Sequence, residues 1–328
     1  MLPSEPPCLP LWPPRRTVRS CKLASLDMAD DSRIIVPVTI GGTSAKMLVD
    51  TGGVTTTIFS DTATRLGLHV MAQMSNDEGM IDVHGQSSTE LVTVPEFGLG
   101  DMKGRNLTFM WEPRGQHDAE FDGILSPDLL RRYDVDIDFG NRKLKLFSPE
   151  HCTGSVVYWT SAYDSIPASI GDGGHIEIPV VLDGREIRAI VDTGAFMTVL
   201  SNDHARQLFD LGENSPGVEK IPGSTSDSFI RYQYRFKQLS FGAVRVSNPA
   251  IAFLPDAAAH TARLAVERLA GDPALGPTIE DTTLLLGLDI LRKLHLYIAY
   301  GEHRIYLTAA DAGQADSPSD PAAAPTAK

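Results

Sequence analysis

Two short segments of this chain carry residues suited to acid–base chemistry: Val49-Asp50-Thr51-Gly52 and Val191-Asp192-Thr193-Gly194. Average residue usage places one Asp-Thr-Gly by chance in roughly one chain in fifteen of this length. Two copies, each after an apolar run, ask for a common purpose. Hydrolysing an amide without a covalent intermediate needs a water that loses a proton as it attacks and a leaving nitrogen that gains one. Two carboxyls brought within about 3 Å cannot both ionise, so they share a proton and divide the acid and base roles. Asp50 and Asp192 are therefore the candidate catalytic pair, and the shared proton belongs to the pair rather than to either residue. Thr51 and Thr193 would hydrogen-bond across an approximate two-fold axis, while Gly52 and Gly194 would bring backbone N–H groups close to the carboxyls. A blander reading makes both segments turns capped by aspartate.

The elements that must position this pair are written twice. Sliding the chain by 142 residues superposes Asp50 on Asp192 and aligns Ile34 with Ile176, Pro37 with Pro179, Val38 with Val180 and Gly42 with Gly184, without a gap. The end of the unit repeats at an offset of 161, matching Leu130 with Leu291, Ile137 with Ile298, Gly140 with Gly301 and Leu146 with Leu307. Each unit alternates apolar and polar residues, as in Ile34, Val36, Val38 and Ile40, then turns at Gly41-Gly42 and runs on to the aspartate. That pattern predicts strand, tight turn and strand. Short helices are expected after each Asp-Thr-Gly, with Ser60 and Asn202 as caps, and again at 127–132 and 288–293. Gly140-Asn141 and Gly301-Glu302 read as hairpin turns between closing strands.

The fold class expected is all-β and bilobal, two homologous lobes with few short helices. The boundaries are a disordered Pro-rich leader over 1–30, lobe one over 31–150, a linker over 151–172, lobe two over 173–309 and a disordered tail over 310–328. The difference between the two offsets falls in an Ala-rich insert at about 256–281, whose amphipathic helical stretch decorates the surface or covers the cleft.

Composition excludes several classes. The 328 residues carry a formal net charge of −13, a field that repels nucleic acid, and the basic cluster Arg15, Arg16, Arg19 and Lys22 lies in the leader. The three cysteines, Cys8, Cys21 and Cys152, give no disulfide framework, and no Cys/His spacing suits a metal. The leader lacks the apolar core of a secretory signal and no run of 18 apolar residues occurs, so we expect a soluble chain that engages no membrane. Compartment stays open, with a lean toward the cytoplasm.

With both motifs in place, the chain resembles the aspartic proteases of pepsin and retropepsin type, and in particular bacterial retropepsin-like proteins with two such units in one chain. The resemblance covers about residues 31–309. It implies the bilobal acid-protease β-barrel fold, peptide hydrolysis without metal or organic cofactor, and an extended peptide or protein substrate held between the lobes. It implies a Thr six residues after each aspartate, here Thr56 and Thr198. Where the family has a small Ala or Ser after the glycine, lobe two has Ala195 and lobe one Gly53. A second family signature, two apolar residues and a glycine packed behind the catalytic loop, corresponds to Leu285-Leu286-Gly287 in lobe two and Ile124-Leu125-Ser126 in lobe one. Ser126 stands where the pattern has glycine, so a local shift of the Asp50 loop is expected. The family's flap would fall at His84-Gly85 in lobe one and Gly223-Ser224 in lobe two. A monomer suffices, since both aspartates reside in one chain. The alternative on the same fold is a weak or inactive peptide-binding module.

Overall fold

The computed structural model describes residues 22–29, 33–73, 80–81, 87–88, 90–113, 120–150, 154–171, 173–223, 232–254 and 282–311. After β1 (Lys22–Asp27), the first lobe begins with β2 (Ile35–Ile40) and β3 (Thr43–Val49), a hairpin in register from Ile35 opposite Leu48 to Ile40 opposite Thr43. Its turn holds Gly41 at φ 57° and Gly42 at φ 79°, two successive left-handed positions that residues with side chains adopt poorly. Pro37 falls where β2 is paired on one side only.

β4 (Thr57–Phe59), the six-residue helix α1 (Ser60–Arg65) and β5 (Val70–Gln73) follow. A small hairpin, β6 (Met80–Ile81) with β7 (Ser87–Ser88), precedes the long strands β8 (Glu90–Leu99) and β9 (Met102–Glu112), and β10 (Gly123–Leu125) returns beside β3. The sheet order β2-β3-β10-β4-β9-β8-β5, with β2 also pairing β8, closes the lobe into a barrel. Val36, Val38, Met47, Ile58, Val92 and Phe109 fill it.

A short helix α2 (Pro127–Leu130) leads into β11 (Asp134–Asp138) and β12 (Lys143–Phe147), followed by β13 (Asp164–Pro167) and β14 (Ser169–Ile170). Lobe two repeats the plan with β15 (Ile176–Leu182), β16 (Arg185–Val191), β17 (Val199–Ser201), α3 (Asn202–Phe209) and β18 (Val218–Lys220). Its counterparts of the two long strands are broken into β19 (Tyr232–Arg235) and β20 (Gln238–Phe241), then β21 (Val244–Ser247) and β22 (Ala250–Leu254), with Asn248 left-handed at φ 51° between the last two. β23 (Thr282–Leu286), α4 (Leu288–Leu291), β24 (Leu294–Ala299), a 3₁₀ turn (Tyr300–Glu302) and β25 (Arg304–Ala309) complete the described chain. The architecture is the bilobal all-β one expected.

A third sheet joins the lobes, in the order β1-β12-β11-β24-β25-β13. β11 and β24, equivalent strands of the two units, lie side by side with Val135 opposite Ile298. Each is flanked by its own unit's closing strand and then by the strand that opens that unit, so the sheet carries the two-fold symmetry of the repeat.

This sheet corrects two boundaries. The leader was expected to be disordered to residue 30, yet β1 pairs with β12 and buries Ala24 and Leu26. The linker was expected to span 151–172, yet β13 pairs with β25. Lys22 and Asp164, which begin these strands, lie 142 residues apart, so each unit starts earlier than its apolar pattern indicates. The chain before β13 covers the outer face of the joining sheet: Trp159 stacks on His295 at 3.9 Å, its Nε1 donates to Thr308 Oγ1 at 3.0 Å, and the Tyr158 hydroxyl donates to Asp136.

Local details differ too. The α3 cap is Ser201, whose hydroxyl accepts from His204 N at 3.1 Å, rather than Asn202, and Ser60 is the first residue of α1 with no side-chain cap before it. Gly301 lies in the 3₁₀ turn rather than a two-residue hairpin turn. The Ala-rich insert and residues 312–328 lie outside the described residues. Among the described residues no helix is long and apolar enough to cross a membrane.

Candidate active site

Each candidate aspartate follows the last residue of a buried strand, Val49 of β3 or Val191 of β16. Those strands are braced by parallel neighbours: Leu125 of β10 lies opposite Val49, and Leu286 of β23 opposite Val191. The chain then leaves the sheet, and the Asp50 and Asp192 N–H groups donate to the carbonyls of Leu125 and Leu286, both at 3.0 Å. Ile124, Leu125, Leu285 and Leu286 thus form the floor beneath the two loops.

The loops grip one another through threonine. Thr51 N donates to Thr193 Oγ1 at 3.0 Å and Thr193 N to Thr51 Oγ1 at 3.1 Å. The hydroxyls continue across the axis, Thr51 Oγ1 donating to Val191 O at 2.6 Å and Thr193 Oγ1 to Val49 O at 2.8 Å. Four reciprocal bonds between fully buried residues fix the lobes in register at this point.

Backbone amides hold the carboxyls. Gly52 N and Gly53 N donate to Asp50 Oδ1, both at 2.9 Å, and Gly194 N and Ala195 N donate to Asp192 Oδ1 at 2.8 and 3.1 Å. Glycine is required here by closeness. A Cβ on Gly52 would lie 2.6 Å from Asp192 Oδ1, and a Cβ on Gly194 would lie 2.6 Å from Asp50 Oδ1. Each glycine therefore faces the opposite lobe's carboxyl, which places the two carboxyls against each other.

Asp50 is part-exposed and Asp192 is 9% exposed. Burial raises the pKa of both above the usual carboxylate value, against the pull of the amide donors. The rise at Asp192 is large, because the charge of Asp50 adds to burial. Two acids so placed titrate as one unit and hold a proton between them at pH values where an isolated aspartate would be ionised.

Thr56 and Thr198 secure the far end of each loop. Thr56 donates through both N (3.0 Å) and Oγ1 (2.6 Å) to Asp128 Oδ1, and Thr198 through N (2.9 Å) and Oγ1 (2.8 Å) to Asp289 Oδ1. Asp128 and Asp289 are site residues that sequence reasoning missed. Their signal was present, since they sit at the second position of α2 and α4, 161 residues apart. Burial raises both pKa values while the threonine bonds oppose the shift.

Ser126 and Gly287 occupy equivalent places: each N–H donates to its threonine, Thr56 or Thr198, at 3.2 Å. The expected shift of the Asp50 loop does not disturb the amide bonds to the carboxyl, whose lengths match those of lobe two. What differs is the filling. A Cβ on Gly53 would lie 2.8 Å from Ser126 Oγ, so the two departures from the family pattern, Gly53 and Ser126, compensate one another.

Of the proposed flap residues, His84, Gly85 and Ser224 lie outside the described residues, although β6 and β7 flank the first two as an antiparallel pair. Gly223 is described, in a turn at φ 80°. Among the described residues no group of three His, Cys, Asp or Glu side chains is placed to hold a metal ion.

Among solved structures the chain is similar to an aspartic proteinase from Irpex lacteus, at 14% identity over 87% of this chain and 97% of that one, with a TM-score of 0.46. It is similar also to Basic 7S globulin from soybean, at 10% identity over 89% and 95% of the two chains, again with a TM-score of 0.46. No curated protein matches the sequence. The sequence model of the aspartyl protease family matches residues 36–129 and 178–290, which together are more than half of the chain and contain both Asp-Thr-Gly loops, and the chain belongs to that family.

Proposed function

We propose that this protein is an aspartic endopeptidase in which Asp50 and Asp192 together activate a water for attack on a peptide bond in the cleft between the lobes. The observation that carries this reading is the pair of cross-bonded loops, with each carboxyl under the opposite lobe's glycine. One carboxyl, ionised, takes a proton from the water as its oxygen adds to the peptide carbonyl carbon. The other, protonated, supports the charge that develops on the carbonyl oxygen. Collapse of the tetrahedral species breaks the carbon–nitrogen bond, the nitrogen receives a proton, and the pair returns to its singly protonated state. The amide bonds to each Oδ1 orient the carboxyls before substrate arrives, so little reorganisation accompanies the step.

The substrate is a peptide or protein segment in extended form, and no cofactor takes part. The chain works as a monomer, because its internal two-fold already brings both carboxyls together. The second reading, a weak or inactive peptide-binding module on the same fold, would rest on Gly53 and Ser126; against it, both carboxyls have two backbone amide donors each. The test is a peptide-library digest with the purified protein from about pH 3 to about pH 8. Cleavage by the wild type and none by Asp192→Asn supports the proposal; no cleavage at any pH, or equal cleavage by the variant, overturns it. Turnover per molecule that stays constant as protein concentration is varied supports the monomer.

A further inference from the structure

We propose that lobe one carries a binding site for a short-chain alkyl carboxylate behind the catalytic floor, from which the bound ligand acts on the Asp50 loop. The site stands on the fold alone and is independent of the proposed function. A cavity of about 90 Å³ lies between the β8–β9 hairpin and α2, with Phe97, Leu99 and Leu107 on one side, Leu129 and Tyr133 on the other, and Leu125 also in its wall. An apolar cavity of roughly 150 Å³ stays dry and holds a benzene ring, so this smaller one suits an alkyl group of about four carbons. Lys103 and Arg132, both exposed, complete the lining toward solvent.

Lobe two shows why the space exists. Ile40 of β2 lies opposite Phe97 and its counterpart Leu182 of β15 lies opposite Leu239, so the two hairpins correspond at the same offset of 142 as the catalytic loops. Asn106 and Asn248, another pair at this offset, are both left-handed at φ 51°. In this register Leu99 matches Phe241 and Gly104 matches Val246. Phe241 is buried and Val246 packs against the core, so lobe two fills with side chains what lobe one leaves open. Gly104 has no positive φ that would call for glycine. The nearest neighbours of a Cβ built there are side-chain atoms of Leu107, the closest at 2.9 Å, and no backbone stands in the way.

The two cations select an acid. Among the described residues Arg132 makes no ion pair, although its charge favours ionisation of nearby Asp128. Lys103 Nζ meets Glu96 Oε1 at 3.2 Å in a pair open to solvent. Guanidinium and ammonium groups take a carboxylate through charge-assisted hydrogen bonds. An alkyl group in the cavity with its carboxylate between Lys103 and Arg132 would satisfy both halves of the site. The cavity also adjoins the catalytic loop. The Leu125 carbonyl accepts from Asp50 N at 3.0 Å, and Asp128, next to Leu129 on α2, holds Thr56 Oγ1 at 2.6 Å. A ligand packed on Leu125 and Leu129 therefore bears on both the floor and the anchor of the Asp50 loop.

The experiment is an NMR titration of the full chain with 3-methylbutanoate, using 3-methylbutan-1-ol as a neutral probe of the same alkyl shape. The acid should move the methyl signals of Leu99, Leu107 and Leu129 to saturation, and the amide signals of Asp50 and Thr56 should follow the same curve. The alcohol should bind about fivefold more weakly. Lys103→Gln/Arg132→Gln should bring acid and alcohol to equal affinity. Gly104→Val, which supplies the side chain found in lobe two, should weaken both about tenfold or more. If Gly104→Val does not fold, the acid and alcohol compared on the wild type and on the charge variant decide the matter. No saturation by the acid, or equal affinity for acid and alcohol in the wild type, overturns the site. Saturation that leaves the Asp50 and Thr56 amides unmoved overturns its action on the catalytic loop. These readouts need no turnover, so failure here leaves the proposed function standing, and a chain that cleaves no peptide leaves this site standing.

Discussion

Placing a serine at position 287 should harm this protein more than removing the one at position 126. In Gly287→Ser the new Cβ would meet the Met197 carbonyl carbon and oxygen at 2.5 Å and Thr198 N at 2.9 Å. All three are backbone atoms, so no rotamer relieves the clash, and overpacking of this kind costs about 1–3 kcal/mol. The displaced backbone carries Thr198 N, which donates to Asp289 at 2.9 Å, and sits beside the bond from Gly287 N to Thr198 Oγ1 at 3.2 Å. Weakening either adds about 1 kcal/mol. A total of about 3 kcal/mol follows, seen as a fall in Tm of about 6–12 °C. Ser126→Gly removes a Cβ and a hydroxyl from a closed space and frees the unfolded backbone, which together cost about 1–1.5 kcal/mol. Its activity at optimal pH should stay within about tenfold of wild type. Thermal denaturation and kcat/KM on one peptide substrate measure both. Equal losses in the two variants would mean that the lobes are packed alike behind their catalytic loops.

Asp50→Asn and Asp192→Asn should each stabilise the fold near neutral pH. A carboxyl whose folded pKa is raised holds its proton more tightly in the folded state, so its contribution to stability falls as pH rises from the unfolded value of 3.8 through the folded one. Asparagine has no such titration, and the gain in Tm over wild type should therefore grow on going from about pH 4 to about pH 7; a gain independent of pH would contradict this. Gly52→Ala or Gly194→Ala should lower kcat about a hundredfold or more, because the added Cβ must push the opposite carboxyl out of place. Near wild-type turnover in either would mean that the carboxyls are not held as described. Arg33 lies 4.1 Å over the ring of Phe196, which is 50% exposed, so Arg33→Ala and Phe196→Ala should show a coupling of about 0.5–1 kcal/mol in urea denaturation. Additive effects would remove that contact between the lobes.

The duplicated strands, the paired aspartates and the residues behind them were legible because they are carried by short local patterns that occur twice. What escaped depends on partners far along the chain. β1 is a half-buried edge strand whose partner lies in β12, and nothing in Lys22-Leu23-Ala24-Ser25-Leu26-Asp27 beside a proline-rich leader announces it. β13 contains Asp164, Ser165 and Pro167, residues poor in strand preference, and is a strand only because β25 offers it an edge. Asp128 and Asp289 read as ordinary first-turn helix acids, although their shared spacing could have marked them. Gly53 and Ser126 were visible as two separate departures from the family pattern. Only the fold brings them together across 73 residues of sequence and turns them into one exchange.

If Asp50 and Asp192 act as a single unit, kcat/KM for Asp50→Asn, Asp192→Asn and the double variant on one peptide substrate will show it. Each single substitution should abolish hydrolysis by orders of magnitude with the fold intact, and the double variant should be no worse than either single one. Near wild-type turnover in either single variant, or losses that multiply in the double, would mean that the two aspartates do not act together.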